Sequence, residues 1–515
     1  GSEMCIRDSI NDMRHLLILL IVLFSALITS CMKDEEYTTS PNDVLYFSTD
    51  TVAFDTIISG SATNTYTFTV YNRAKKALRI PKVMLQGGSS SPFAVNVDGE
   101  PLINGVAEDF EIGSEDSMIV FLMANLPESE SDEPVPAQDK LVFTTAAGVN
   151  QEVVLTAAGQ SVVPISQHRV TTDTIWQARK PYRIMDSLVV EEGKTLTLAA
   201  GTRLYFHDKA ELIVKGCLKV EGTAEKPVVL RGDRLGYMFA GQPYDRIPGQ
   251  WGGIRLTHTS YDNHINFADI HSGNFGIRVD SADISRNKLL LENSIVHNTT
   301  HHALDIYMAQ VKVGNSQITN AGGDCLHVRG GDVSLTHCTI ARFFVFTGGQ
   351  GTAINFANYE GSTRLPLQNL TLQNCIVTGY LSDEIMGSPN PNYKKDAFNY
   401  AFKNCLVNTP KVEDSEGKNP FVGCQWDVDG KDTPTADDGT RILREKNFTP
   451  EPNLDDLTFS FELSPLSKAV GKADANITAN TYTHDRLGRP RGNMPDMGCY
   501  QHTVKKPETE PKQHK

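Results

Sequence analysis

The chain has 515 residues, a formal net charge of −14, 40 glycines and 8% aromatic residues. A surplus of carboxylates argues against nucleic acid and anionic lipid as partners, since both would be repelled. The composition is that of a turn-rich β protein rather than a disordered chain, and the length admits one to four domains.

Residues 1–12 contain Met4-Cys5-Ile6-Arg7-Asp8-Ser9, which reads as a translated sequencing adaptor, so Met13 is the expected start. Arg14 and His15 then precede an apolar run from Leu16 to Leu27, followed by Ile28-Thr29-Ser30-Cys31. That order is the layout of an export signal, and the run falls short of the roughly 20 apolar residues a membrane span needs. Leu27-Ile28-Thr29-Ser30-Cys31 resembles the lipobox of bacterial lipoproteins. The resemblance implies cleavage before Cys31, acylation of its thiol and an outer-membrane lipid anchor, each buried methylene contributing about 0.8 kcal/mol. Lys33-Asp34-Glu35-Glu36 is similar to the acidic export signal of surface-exposed Bacteroidota lipoproteins, which implies a cell-surface location. By itself this charge run reads as a solvated leash over residues 31–43.

Over residues 44–163 the pattern changes to alternation. Tyr66, Phe68 and Val70 interleave with Thr65, Thr67 and Thr69, the period of a half-buried strand. Leu78-Arg79-Ile80, Ile119–Leu122, Leu141–Phe143 and Val153–Leu155 repeat it, separated by turns such as Gln86-Gly87-Gly88-Ser89 and Asp98-Gly99. About seven such strands predict a β-sandwich of immunoglobulin type. The segment resembles the immunoglobulin-like domains at the start of many Bacteroidota lipoproteins; its expected role is a spacer that lifts the next domain off the membrane, with a binding role as the alternative.

Residues 164–502 carry an internal repeat. Asn293-Ser294-Ile295-Val296 aligns with Asn315-Ser316-Gln317-Ile318, His337-Cys338-Thr339-Ile340, Asn374-Cys375-Ile376-Val377 and Asn404-Cys405-Leu406-Val407. The first three lie 22 residues apart, the length of one coil of a parallel β-helix with two or three short strands per turn. Such a coil buries its apolar face only against its neighbours. The segment resembles the right-handed parallel β-helix repeat proteins of the pectate-lyase-like superfold. Gly193–Leu198 looks like an opening coil, Gly249-Gln250-Trp251-Gly252 like the tryptophan turn after it, and Asp485 to Gly498 like a closing cap holding Arg491 and Asp496. The expected fold is all-β: sandwich first, β-helix second, then a disordered tail over 503–515. Cys338, Cys375 and Cys405 fall in the slot of Ser294 and Ser316, so they are expected as small packed thiols, neither bridged nor zinc-bound.

The same register sorts the next strand of each coil. Ile277, Leu304, Leu326 and Ile354 point inward, leaving one outward lane of Arg278, Asp305, His327 and Asn355 and another of Asp280, Tyr307, Arg329 and Ala357. Asp305 with His327 is a candidate acid–base pair, Arg329 a ligand for a uronate carboxylate, and Tyr307 a sugar-stacking ring. Arg278, Asp280, His302 and Asn355 complete a candidate glycan strip, with His301 and Asp324 at the adjoining turns. Against this stands the ordinary charged exterior of any soluble strand. Gly322-Gly323-Asp324-Cys325 resembles part of the polygalacturonase Asp-Asp-Cys motif, but the second aspartate and that family's Gly-His-Gly and Arg-Ile-Lys elements are missing.

No cofactor or metal set is expected. Calcium is left open only by Asp427–Asp432, where the glycine required at the sixth position is Asp432. The expectation is therefore a monomeric surface lipoprotein whose β-helix binds extracellular glycan or serves as an adhesive scaffold. The alternative is a polysaccharide lyase or glycoside hydrolase working on the outward lanes.

Overall fold

The computed structural model describes residues 36–239, 242–346, 350–411, 419–427, 447–449 and 459–503. Residues 31–35, Cys31 included, Val428–Asp432 and nearly all of the tail lie outside them; the rest of the expected leash is not free, since the Thr38 N–H donates to the Ala77 carbonyl and the Ala77 N–H to the Glu36 carbonyl, both at 2.9 Å. Among the described residues no helix is long and apolar enough to cross a membrane. The chain divides into two compact units. One comprises residues up to Phe54 with Ala62–Asn125 and Pro136–Ala157; the other takes Asp55–Ser61, Leu126–Val135 and the chain from Ala158 on.

The first unit is built on two five-stranded sheets, ten strands where the turn spacing predicts about seven. Tyr66–Asn72 pairs antiparallel with Ser117–Ala124, and Leu78–Leu85 pairs antiparallel with both Val106–Ile112 and Val135–Thr144. The alternation has its expected cause. Met118, Val120, Leu122 and Ala124 are buried while the residues between them are exposed, so each strand has one dry face and one wet face.

The second unit is a parallel coil with three faces. Face one has eleven strands, from Val163–Ile165 to Gln425–Trp426; face two has nine, from Arg169–Val170 to Ile385–Ser388; face three has ten, from Thr174–Trp176 to Phe421–Val422. Each coil adds one strand to each face in turn. The repeat alignment is the register of face one, where Ile295, Gln317, Thr339, Ile376 and Leu406 stand side by side. The inward residues form one continuous core running from Val170 to Phe421, each large apolar side chain contributing about 1.5–3 kcal/mol when fully buried.

Two ladders run along the corner leading into face one. Asn293, Asn315, His337, Asn374 and Asn404 all hold left-handed backbone, with φ between 50° and 54°, a conformation asparagine tolerates better than most residues. The asparagine amides link coil to coil: Asn315 Nδ2 donates to Asn293 Oδ1 at 2.7 Å, and Asn293 Nδ2 to Asn266 Oδ1 at 2.8 Å.

Beside them Ser294, Ser316, Cys338, Cys375 and Cys405 are piled in one completely buried column. They do more than fill a small slot. The Ser294 N–H donates to Ser316 Oγ at 3.1 Å, the Cys338 N–H to Cys375 Sγ at 3.3 Å and the Cys375 N–H to Cys405 Sγ at 3.4 Å. Each side chain also donates to the carbonyl two residues earlier, as Ser316 does to Gly314 and Cys375 to Gln373. Only a small side chain that both donates and accepts fits such a column. All seven described cysteines are free, and burial pushes the Cys338 and Cys375 thiols well up, keeping them protonated.

Cys375→Ser is therefore expected to leave stability nearly unchanged. Cys375→Ala strands the Cys338 N–H and costs about 1–3 kcal/mol. Trp176, Trp251 and Trp426 are the only tryptophans and all belong to the second unit, so urea titration followed by their fluorescence reads this unit alone. Equal midpoints for the alanine and serine variants would show that the column works by size only.

The C-terminal segment lies along the flank of the coil. Phe461, Leu463, Ala469, Met497, Cys499 and Tyr500 pack with Phe343 on the outward side chains Ala341, Ile376 and Leu406 of face one. The buried Arg491 donates to Asn315 Oδ1 at 2.7 Å and to the Gly498 carbonyl at 2.9 Å. Asp496 accepts from the backbone N–H groups of Gly471 and His502. Both side chains are thus consumed in holding this segment. Phe343 is buried beneath it.

Candidate functional site

The outward lanes of face two follow from alternation on Ile277–Val279, Leu304–Tyr307, Leu326–Arg329 and Ile354–Ala357. With Ile277, Leu304, Leu326 and Ile354 inward and paired in register, Arg278, Asp305, His327 and Asn355 become neighbours one strand apart, a spacing of about 4.8 Å.

Asp305 is the electrostatic centre. Its Oδ1 accepts from His327 Nδ1 at 3.1 Å and from Arg329 Nη2 at 2.7 Å. Burial alone would raise its pKa, but the His327 hydrogen bond and the Arg329 charge outweigh that and hold it at about 2. Arg329 is shared with Glu360 at 2.5 Å, and its guanidinium lies 5.0 Å from the centre of the Tyr307 ring. Because a carboxylate faces Nδ1 of His327, the proton sits on that nitrogen and Nε2 is left as the basic one.

The other members divide. His302 packs against His327 with ring centres 4.2 Å apart and planes tilted by 36°, and burial lowers its pKa, with the neighbouring His327 adding to the effect. Its Nδ1 accepts the Asp324 backbone N–H at 3.0 Å. Asn355 donates to Asp324 Oδ2 at 3.2 Å. Asp280 turns away to Arg255, 2.9 Å from its Nε. Arg278 lies 4.7 Å over the ring of Phe275 and makes no ion pair among the described residues.

Phe275 was not visible as a site residue, although its signal is present: two residues before each inward Ile277, Leu304, Leu326 and Ile354 stand Phe275, His302, Asp324 and Thr352. Phe275 also stacks on the exposed His301 at 4.9 Å and 29°. The result is a file of rings, Phe275, His301, His302 and His327, with one free cation at its start.

Two groups among the described residues have ligand atoms within 4.8 Å of one another: His302, Asp324 and His327, and Asp269, His271 and His297. Neither was expected from sequence, where metal ligands were sought among the cysteines and in Asp427–Asp432. The first group is satisfied without an ion. Asp324 Oδ1 accepts from Thr352 N at 2.8 Å and Thr352 Oγ1 at 3.1 Å, its Oδ2 from Asn355, and His327 is given to Asp305. Asp324 is a turn-holding side chain here.

No known protein family and no curated protein matches the chain. Among solved structures, the catalytic unit of a thermostable GH87 α-1,3-glucanase from Streptomyces thermodiastaticus strain HF3-3 aligns at 12% identity and TM-score 0.27, over 70% of this chain and 89% of that one. The ASH/PapD-like domain 7 of human CEP192 aligns at 12% identity and TM-score 0.17, over 24% of this chain and 92% of its own. Likenesses at these scores carry no functional argument.

Proposed function

We propose that the chain is a surface lipoprotein of the Bacteroidota type, anchored through Cys31, with an immunoglobulin-like spacer and a right-handed β-helix that binds glycan along face two. Right-handedness follows the strong preference of parallel crossovers; the anchor and location rest on the signal sequence. The observation that carries the binding reading is the file of Phe275, His301, His302 and His327 rings beside Arg278, which has no ion-pair partner among the described residues. Rings stack on sugar faces, and a free guanidinium takes a uronate carboxylate. The carboxylates nearby are committed: Asp305 to Arg329 and His327, Glu360 to Arg329, Asp324 to Thr352 and Asn355. The usual route of glycoside hydrolysis uses two carboxyl groups flanking the scissile bond, and among the described residues the carboxylates of these lanes are engaged as above.

One observation favours a second reading. Asp305 fixes the His327 tautomer and leaves Nε2 outward, which is how a general base is oriented. With Arg278 to neutralise a uronate, this is the arrangement of a lyase.

The test is to screen the full chain against immobilised neutral and uronate-containing polysaccharides, then assay each hit for new reducing ends and unsaturated products. Binding without cleavage is expected. Phe275→Ala should weaken every hit by about tenfold, an energy of about 1.4 kcal/mol, whereas Arg278→Ala should weaken only the uronate-containing ones. Cleavage abolished by His327→Gln would establish the lyase instead, and binding to nothing on the panel would overturn both.

A further inference from the structure

On face one, Ala268–His271 pairs in parallel with Ile295–Thr299, placing His271 beside His297 with Asp269 on the same strand two residues earlier. Alternation makes all three outward-facing. Asp269 Oδ1 is 2.9 Å from His271 Nδ1 and 3.1 Å from His297 Nε2, and the imidazole centres are 4.9 Å apart. Asp269 and His297 line a groove of about 370 Å³ closed on its other side by Phe459, Phe461 and Tyr500 of the flanking segment.

We infer that Asp269, His271 and His297 form a binding site for a divalent transition-metal ion of the zinc type, with a coordination position open to this groove. Ligand atoms about 2 Å from a tetrahedral zinc ion sit roughly 3.3 Å from one another, and the two distances above are close to that. Two imidazoles and one carboxylate are the donor set of zinc and its transition-metal neighbours, whereas calcium and magnesium take oxygen. Three protein ligands leave a place for water or a ligand oxygen, and the groove lies there.

A purely structural role accounts for the cluster less well. His271 is buried and its Nε2 has no hydrogen-bond partner among the described residues. Both imidazoles converge on one oxygen of Asp269, and no hydrogen bond to its Oδ2 is seen among the described residues. In the face-two group, by contrast, both carboxylate oxygens of Asp324 accept hydrogen bonds and His327 Nδ1 is given to Asp305.

The experiment uses the full chain, stripped with chelator and titrated with Co2+ while ligand-field absorption is recorded, then challenged with Zn2+. One equivalent of Co2+, displaced by Zn2+ and not by Ca2+, is expected. Asp269→Asn and His297→Gln should each weaken Co2+ binding by at least about tenfold with unchanged circular dichroism. They carry the test, since His271→Gln alters a buried side chain and risks misfolding. His302→Gln, in the other group, should leave Co2+ binding as it was. Absence of stoichiometric binding, displacement by Ca2+, or loss on His302→Gln but not on His297→Gln would overturn the assignment. None of these outcomes depends on glycan binding.

Discussion

Replacing His337 with asparagine is expected to remove one proton's worth of acid sensitivity from the second unit. His337 occupies the asparagine ladder at φ 53°, wholly buried, with Nε2 2.8 Å from Thr478 Oγ1 and 3.1 Å from Asn374 Nδ2. Burial first, and the nearby Arg491 charge second, push its pKa down to about 2. The folded chain therefore keeps His337 neutral while the unfolded chain protonates it below about 6.5. Between those values the unfolded state binds the extra proton, so stability falls as pH falls, by about 1.4 kcal/mol per pH unit. Above about pH 6.5 the contribution is fully retained. At pH 4.5 the loss from this one residue is about 3 kcal/mol.

His337→Asn fits the left-handed backbone, keeps a polar side chain near Thr478 and Asn374, and cannot titrate. Urea unfolding of both proteins at pH 7 and pH 4.5, read by tryptophan fluorescence, compares the slopes directly. The variant should gain about 3 kcal/mol relative to the parent on going to the lower pH. A difference between the two proteins that is the same at both pH values would show that His337 is protonated in the fold or does not govern acid unfolding.

Trp251→Ala is expected to cost about 3–5 kcal/mol, the range for deleting a buried large aromatic side chain. Trp251 is completely buried in the coil core, its ring stacked on Phe206 at 4.3 Å and 15°. Its Nε1 donates to the His271 carbonyl at 2.8 Å. Truncation thus opens a cavity and leaves that carbonyl unpaired beside the Asp269 cluster. Trp251→Phe retains most of the ring and forfeits only the hydrogen bond, so about 1–3 kcal/mol is expected. The remaining Trp176 and Trp426 still report unfolding. If both variants unfold at the parent's urea midpoint, the tryptophan turn is a bystander and the coil is held elsewhere.

Much of the coil was legible because its determinants recur at a local period. Ser294, Ser316 and Cys338 announce the 22-residue turn, and the alternation around Leu304 and Leu326 assigns inward and outward residues before any coordinates are known. A parallel register carries that assignment from coil to coil, which is why the lanes of Arg278, Asp305, His327 and Asn355 could be written down. The thiols were read only as small packing groups. Their role as a hydrogen-bonded column depends on which N–H lies above which sulfur, and residue type alone does not specify that.

The amino-acid sequence by itself determined the two kinds of β architecture, the turn positions that demand asparagine or a small side chain, and which side chains leave the core. These follow from backbone sterics and the alternation of strands, and both act over a few residues. Tertiary structure decided what the outward groups do. It gave Asp305 to Arg329 and His327, Asp280 to Arg255 and Asp324 to Thr352. It also laid the segment from Phe459 to Tyr500 over face one to wall the groove beside Asp269 and His297. Several partners lie within reach of each such side chain, and differences of an ångström in distance and in burial choose among them. Those differences exist only once residues as far apart in sequence as Gln317 and Tyr500 have been brought together.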